Sequence, residues 1–173
     1  FSEAIEKRPS YTDAYLARAE TKLSLGDAGG AIADFDQVTL QSPALMSAHI
    51  GRAVALTQLG KYEEALKNFE KGGATTEFAP EHIETRARAL RGAERLDEAA
   101  AEERIAAERY FLRGHYLAQE GKLPDALADY LKAYAIRTDL PFIAGFMASV
   151  RSRMCDWSRY EDEIESIEEC FAR

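Results

Sequence analysis

A 34-residue period runs through this sequence and leaves few folds open to it. Blocks beginning at Thr12 and Met46 align with a third at Pro80. In the first, Tyr15, Ala19, Leu23 and Gly26 are followed by Ala31, Phe35, Val38 and Pro43; in the second, His49, Ala53, Leu56 and Gly60 precede Tyr62, Ala65 and Phe69. Each block reads as a helix, a glycine turn and a second helix. A unit of this length cannot bury its apolar face alone, so it must stack on its neighbours. Small residues at Ala19, Ala31, Ala53 and Ala65 let two antiparallel helices approach, while Phe35 and Phe69 fill the adjoining space. Gly26 and Gly60 suit the left-handed cap that ends the first helix of each pair.

The pattern continues in both directions. Ile83, Ala87, Leu90, Leu96 and Ala99 form a weaker third block, and Tyr110, Gly114, Leu117, Gly121, Ala126, Tyr130 and Ala133 a strong fourth; Phe1, Ala4 and Pro9 match the tail of a block whose front is absent. In these residues the sequence resembles the tetratricopeptide repeat, with its bulky aromatic, Leu-Gly, Tyr, and later Ala, Phe and Pro at fixed spacing. The resemblance implies an all-α fold, an α-solenoid of TPR-type helical hairpins wound as a right-handed superhelix. The expected units are the end of a truncated repeat (1–11), repeats at 12–45 and 46–79, a shortened repeat at 80–106, a repeat at 107–140, and a divergent capping hairpin at 141–173. In that last hairpin, roughly Leu140–Met154 and Ser158–Phe171, Ala148 holds the small slot and Tyr160 stands where a second small residue belongs. Because the chain opens at Phe1 inside a helical pattern and closes on another, a piece of a longer protein is expected.

The period breaks once. By its own register the fourth block starts at Ala107, only 27 residues after Pro80, so about two helical turns are missing. Between Asp97 and Gly121 the composition is rich in Ala, Glu and Arg, and Ala106-Ala107-Glu108-Arg109 offers no turn former. One unbroken helix of about 36 Å is expected there, with Ile105 and Ala106 facing one part of the stack and Tyr110, Gly114 and Leu117 the other. The alternative is that residues are missing from the sequence near Ala106. Unmatched apolar surface at such a seam makes a homodimer a corollary.

Composition excludes several classes of partner. The 173 residues carry a formal net charge of −8, which disfavours nucleic acid and anionic membrane surfaces because both need clustered positive charge. No run approaches the roughly 18 apolar residues of a membrane span and no basic-then-apolar leader opens the chain; it reads as soluble and cytoplasmic. Cys155 and Cys170 lack a CxxC spacing and His49, His82 and His115 are scattered, so neither a zinc site nor a disulfide framework is expected. Glycine pairs at Gly29-Gly30 and Gly72-Gly73 lie at helix ends without a phosphate-loop context. Neither a cofactor nor catalysis is expected of this segment.

An arginine recurs three residues after the bulky slot in four blocks: Arg18, Arg52, Arg86 and Arg113. Sixteen residues later stand Asp34, Asn68, Glu102 and Asp129. Hairpin geometry should bring each pair together as a structural Arg to carboxylate or amide bond; a row of anion-binding arginines is the sharper alternative. The acidic run from Glu161 to Glu169 reads as a solvated helix face rather than an acid–base pair. His49 occupies a packing slot, so burial is expected to outweigh ligation.

The resemblance further implies that the first helices line an inner groove for a protein or peptide. The candidate site residues are Asp13, Leu16, Glu20, Ser47, Ile50, Val54, Gln58, Glu84, Arg88, Phe111, His115 and Gln119. This lining mixes apolar and acidic groups, which suits a peptide with basic and aliphatic side chains. The carboxylate-clamp form of the family, which grips chaperone C-termini, is not matched, since its asparagine slots hold Ala17 and Gly51.

A narrower resemblance lies in Cys155-Asp156-Trp157-Ser158-Arg159-Tyr160-Glu161-Asp162, together with Leu140-Pro141-Phe142-Ile143-Ala144-Gly145-Phe146. It is similar to the junction between repeats and catalytic domain in O-GlcNAc transferase-like glycosyltransferases, implying a substrate-recognition arm as the second reading. The asparagine ladder of the eukaryotic enzymes is absent, its slots holding Ala17, Gly51, Thr85 and Leu112. The same residues also read as a capping hairpin, with a Ser158/Glu161 capping box, Trp157 as a staple and Tyr160, Ile164, Ile167 and Phe171 as its buried stripe.

Overall fold

The structure is a computed structural model that describes residues 5, 11–74, 78–140 and 142–156. Among these are eight α-helices and no strand: α1 (Thr12–Ser24), α2 (Ala28–Gln41), α3 (Met46–Gln58), α4 (Tyr62–Lys71), α5 (Pro80–Gly92), α6 (Leu96–Gln119), α7 (Leu123–Ile136) and α8 (Ile143–Arg153). The helices pack as antiparallel hairpins of tetratricopeptide type. The chain divides into two compact units, 1–102 and 103–173.

In the first unit α1 packs on α2 and α3 on α4, α2 on α3 and α4 on α5, while the first helices touch in series, α1 on α3 and α3 on α5. The alanine slots do what their size suggests: Ala19, Ala31, Ala53 and Ala65 are wholly buried, as are Phe35 and Phe69. One core joins Ala19, Ala31, Phe35, Val38 and Ala48, and a second joins Leu56, Ala65, Leu66, Ala89, Leu90 and Ala99.

The hairpin turns share one cap. Gly26 and Gly60 stand in the left-handed region, and the next residues, Asp27 and Lys61, donate their N–H groups to Leu23's neighbour Lys22 and to Leu56, each at 2.9 Å. This is the six-to-one bond of a Schellman cap. The third hairpin makes the same turn without glycine: Glu94 has φ of 60° and Arg95 N donates to Leu90 O at 2.9 Å. The weak third block therefore keeps its geometry at the expense of a side chain in a conformation that favours glycine.

Across the break in the period, α6 is one helix of 24 residues. Ala106, Ala107 and Tyr110 are fully buried along it. Ile105, expected to pack, is instead exposed at 38%. In the second unit Ala107, Tyr110, Ala126, Tyr130 and Ala133 form a core with Leu140, Ile143, Met147 and Val150, and α7 packs on α8. Gly114 permits this: a β-carbon there would lie 2.9 Å from the Tyr130 ring and 3.1 Å from the Ala126 carbonyl oxygen. On α8 the buried small residue is Ala144, whereas Ala148 is half-buried. The second helix expected for the capping hairpin, with Trp157, Tyr160 and Phe171, lies outside the described residues.

Candidate functional site

In the first unit the helices α1, α3 and α5 enclose a cavity of about 340 Å³, lined by Glu20, Leu23, Phe35, Ser47, Ile50, Gly51, Val54, Glu81, His82 and Thr85. The repeat explains the position. The first helices stand side by side, and residues one helical turn apart, such as Ser47, Ile50, Gly51 and Val54, share one face. Gly51 brings the floor up, since a β-carbon there would overlap the Phe35 ring. The result is an apolar floor with carboxylates supplied by α1 and α5.

Four of the candidate residues line this cavity: Glu20, Ser47, Ile50 and Val54. Leu16 is half-buried against the α1–α2 core. Asp13 and Gln58 are exposed near the two ends of their helices, and Glu84 and Arg88 are exposed on α5 without lining the cavity. From α5 the lining comes instead from Glu81, His82 and Thr85. Glu81 stands one period after Ser47, a signal present in the sequence; Leu23 and Phe35 became lining residues only through packing. Thr85 is buried, its hydroxyl donating to the Glu81 carbonyl at 2.8 Å. His82 is half-buried, and that burial pushes its pKa below the ordinary 6.5 although Glu81 pulls the other way.

In the second unit the candidates lie on α6. His115 and Gln119 are exposed and their Nε2 atoms stand 3.0 Å apart. Phe111 was expected to be an exposed contact residue, but it is half-buried, with its ring centroid 5.8 Å from Tyr130 and 5.4 Å from Phe146. The His115 ring meets Phe146 edge-on at 5.3 Å. Phe111 thus serves the core that Gly114 opens, because the deep approach of Tyr130 gives its ring aromatic neighbours.

The arginines are largely occupied within the fold. Arg18 donates to Asp34 from Nε at 2.8 Å and from its terminal nitrogen at 2.6 Å. Arg113 does the same to Asp129 at 2.6 and 2.9 Å, and Arg86 bonds Glu102. The expected Arg52–Asn68 pair does not form. Arg52 Nε donates to Asp36 at 2.6 Å, and the Asn68 amide donates to the Glu64 carbonyl. A charged acceptor on α2 outcompetes a neutral amide on α4, as charge-assisted bonds are the stronger. His49 is buried, its Nε2 donating to the Pro43 carbonyl at 2.8 Å. Among the described residues no group of three His, Cys, Asp or Glu side chains could hold a metal ion, and no helix is long and apolar enough to cross a membrane.

Residues 47–72, covering most of α3 and all of α4, match the family model of the tetratricopeptide repeat. Among solved structures the chain is similar to YrrB, described as a TPR protein with an unusual peptide-binding site, with a TM-score of 0.56 at 18% identity over 98% of this chain and 91% of that one. It is also similar to MamA from Desulfovibrio magneticus RS-1, with a TM-score of 0.50 at 14% identity over 93% and 95% of the two chains. A tetratricopeptide repeat protein from Parabacteroides merdae gives 0.50 at 20% identity over 84% and 60%. No curated protein matches the chain. The fold is that of the tetratricopeptide-repeat structures, an all-α stack of helical hairpins, and residues 47–72 carry one recognisable tetratricopeptide repeat.

Proposed function

We propose that this chain is a protein–protein interaction scaffold that holds a peptide or protein segment against the first helices of its hairpins. The observation that carries this reading is the cavity of about 340 Å³ between α1, α3 and α5. It is concave, with an apolar floor and polar side chains from α1, α3 and α5 around it, as binding sites for small segments are. The peptide-binding site named for YrrB is in keeping with it. Exposed Asp13, Gln58, Glu84 and Arg88 would surround the bound segment, and His115 and Gln119 would extend the contact surface of the second unit.

The test is selection of binders from a displayed random-peptide library, followed by calorimetry with the synthetic peptides on the chain and on Val54→Arg. Val54 is only partly buried, so the variant should keep its far-ultraviolet circular dichroism and lose binding about a hundredfold, the scale of a lost central contact. Recovery of no binders, or binding indifferent to Val54→Arg, would remove the reading.

The second reading, a substrate-recognition arm of a glycosyltransferase, rests only on the resemblance of residues 140–146 and 155–162 to that junction. Of the latter, only Cys155 and Asp156 lie within the described residues. A catalytic domain following Arg173 in a longer chain would favour it.

A further inference from the structure

The cavity in the first unit has a charge order that selects its occupant. Glu20 comes from α1, the apolar Ile50 and Val54 from α3, and Glu81 from α5. Because α3 packs against both α1 and α5, the order across the groove is acid, apolar, acid. No lysine or arginine is among the described residues lining the cavity. The nearest cations on α1, Arg18 and Lys22, both bond Asp34, and Arg88, exposed on α5, stands outside the lining. Glu20 is exposed and makes no ion pair among the described residues. His82 adds no opposing charge at neutral pH, because its burial favours the neutral ring.

We propose that this cavity anchors one large aliphatic side chain of a partner segment that carries lysine or arginine on both sides of it, the cations facing Glu20 and Glu81. The proposal rests on the reading of the groove as a peptide site and names the partner's chemistry. A volume of about 340 Å³ lies at the lower end of the usual range for ligand sites, roughly 300 to 1,000 Å³. It admits a side chain and its flanks and not a helix, which is about 10–12 Å across. The proposed occupant is an extended segment. Neighbouring helix axes lie roughly 8–10 Å apart, and an extended chain advances about 3.3 Å per residue. Allowing for the reach of the side chains, the cations belong about two to three positions before and after the aliphatic residue. Glu81 is partly buried beside the apolar floor, where low dielectric strengthens pairing with a cation, while the exposed Glu20 adds longer-range attraction.

The experiment uses the full chain and three fluorescent nine-residue peptides with blocked ends. The first has a central Leu with Lys two positions to either side; in the second Glu replaces the Lys residues; in the third Ser replaces the Leu. Anisotropy at moderate salt is expected to show the Lys–Leu peptide binding at least about tenfold more tightly than either other. On a Glu20→Lys, Glu81→Lys double variant the preference between the first two peptides should invert. If the double variant loses its helical signal, Glu20→Lys alone, at an exposed position, should still lower the preference. Equal affinity for all three peptides overturns the proposal, and so does a preference that survives charge reversal; in both cases the peptide-site reading stands if Val54→Arg abolishes binding. Failure of every peptide, including those selected from the library, removes both.

Discussion

Arg18 and Asp34 meet fork to fork across the first hairpin, and Lys22 reaches the same carboxylate at 2.8 Å. Arg113 and Asp129 repeat the arrangement in the second unit, without a second cation among the described residues. Removing one partner of a buried charged bond costs about 1–3 kcal/mol because the other is left desolvated. Arg113→Ala should therefore fall near the top of that range and Arg18→Ala near the bottom, where Lys22 remains. Arg52→Ala loses only a half-exposed Asp36 and should cost less than about 1 kcal/mol. Urea midpoints of the three variants check the ranking. Burial opposes ionisation of Asp34, but Arg18 and Lys22 outweigh it and hold its pKa below the ordinary 3.8. Its contribution is thus complete above that value and is lost as pH falls through the depressed one; in Arg18→Ala this acid-side loss should shrink.

Glu94 performs the turn that Gly26, Gly60 and Gly121 perform elsewhere, with φ of 60°. Left-handed backbone costs a non-glycine residue roughly 1–2 kcal/mol. Glu94→Gly should recover about 1 kcal/mol of this, part being offset by the freedom glycine adds to the unfolded chain. A rise in melting temperature measures it.

Gly114 should respond in the opposite sense to an ordinary helical glycine. Replacing an exposed interior glycine by alanine normally stabilises a helix by up to about 1 kcal/mol. Here the new methyl would stand 2.9 Å from the Tyr130 ring and 3.1 Å from a backbone oxygen. Gly114→Ala is expected to destabilise by about 1–3 kcal/mol through overpacking. An unchanged or higher urea midpoint would show that Tyr130 yields easily.

His82 couples the cavity to pH. Its folded-state pKa is depressed, mainly by burial, so the unfolded chain binds the proton more readily. The stability it confers is present above the ordinary value of 6.5 and is lost as pH falls through the lower folded-state value. His82→Asn should flatten the stability profile below pH 6.5 and leave it unchanged in slope above. Denaturant titrations at several pH values provide the comparison.

Phe111 and His115, four residues apart on α6, should separate into stability and surface roles. Phe111 is half-buried between Tyr130 and Phe146, so Phe111→Ala should cost about 2–4 kcal/mol, short of the full penalty for a buried aromatic. His115 is exposed, and His115→Ala should change stability by less than about 1 kcal/mol. Equal thermal shifts would contradict the placement.

The hairpin plan was legible in the sequence because it rests on short-range spacing. Alanines at the helix crossings, glycines after the first helices and an acidic residue sixteen positions beyond an arginine depend on positions within one repeat. The unbroken α6 follows from local propensity, there being no turn former from Ala106 to Arg109. What tertiary packing decided lies between repeats. Arg52 had Asn68 at the regular spacing and Asp36 on the preceding hairpin; proximity and the stronger charged bond chose Asp36. Glu94 adopts a glycine conformation because the packing of α5 on α3 and α4 holds the third hairpin in the common geometry. The cavity takes its floor from Phe35, whose ring reaches α3 only because position 51 has no side chain, and Phe111 is half-buried against the core because Gly114 admits Tyr130. Periodicity names the face of a helix; which side chains enclose a space on that face depends on the sizes of residues on neighbouring helices, and only the assembled packing brings those together.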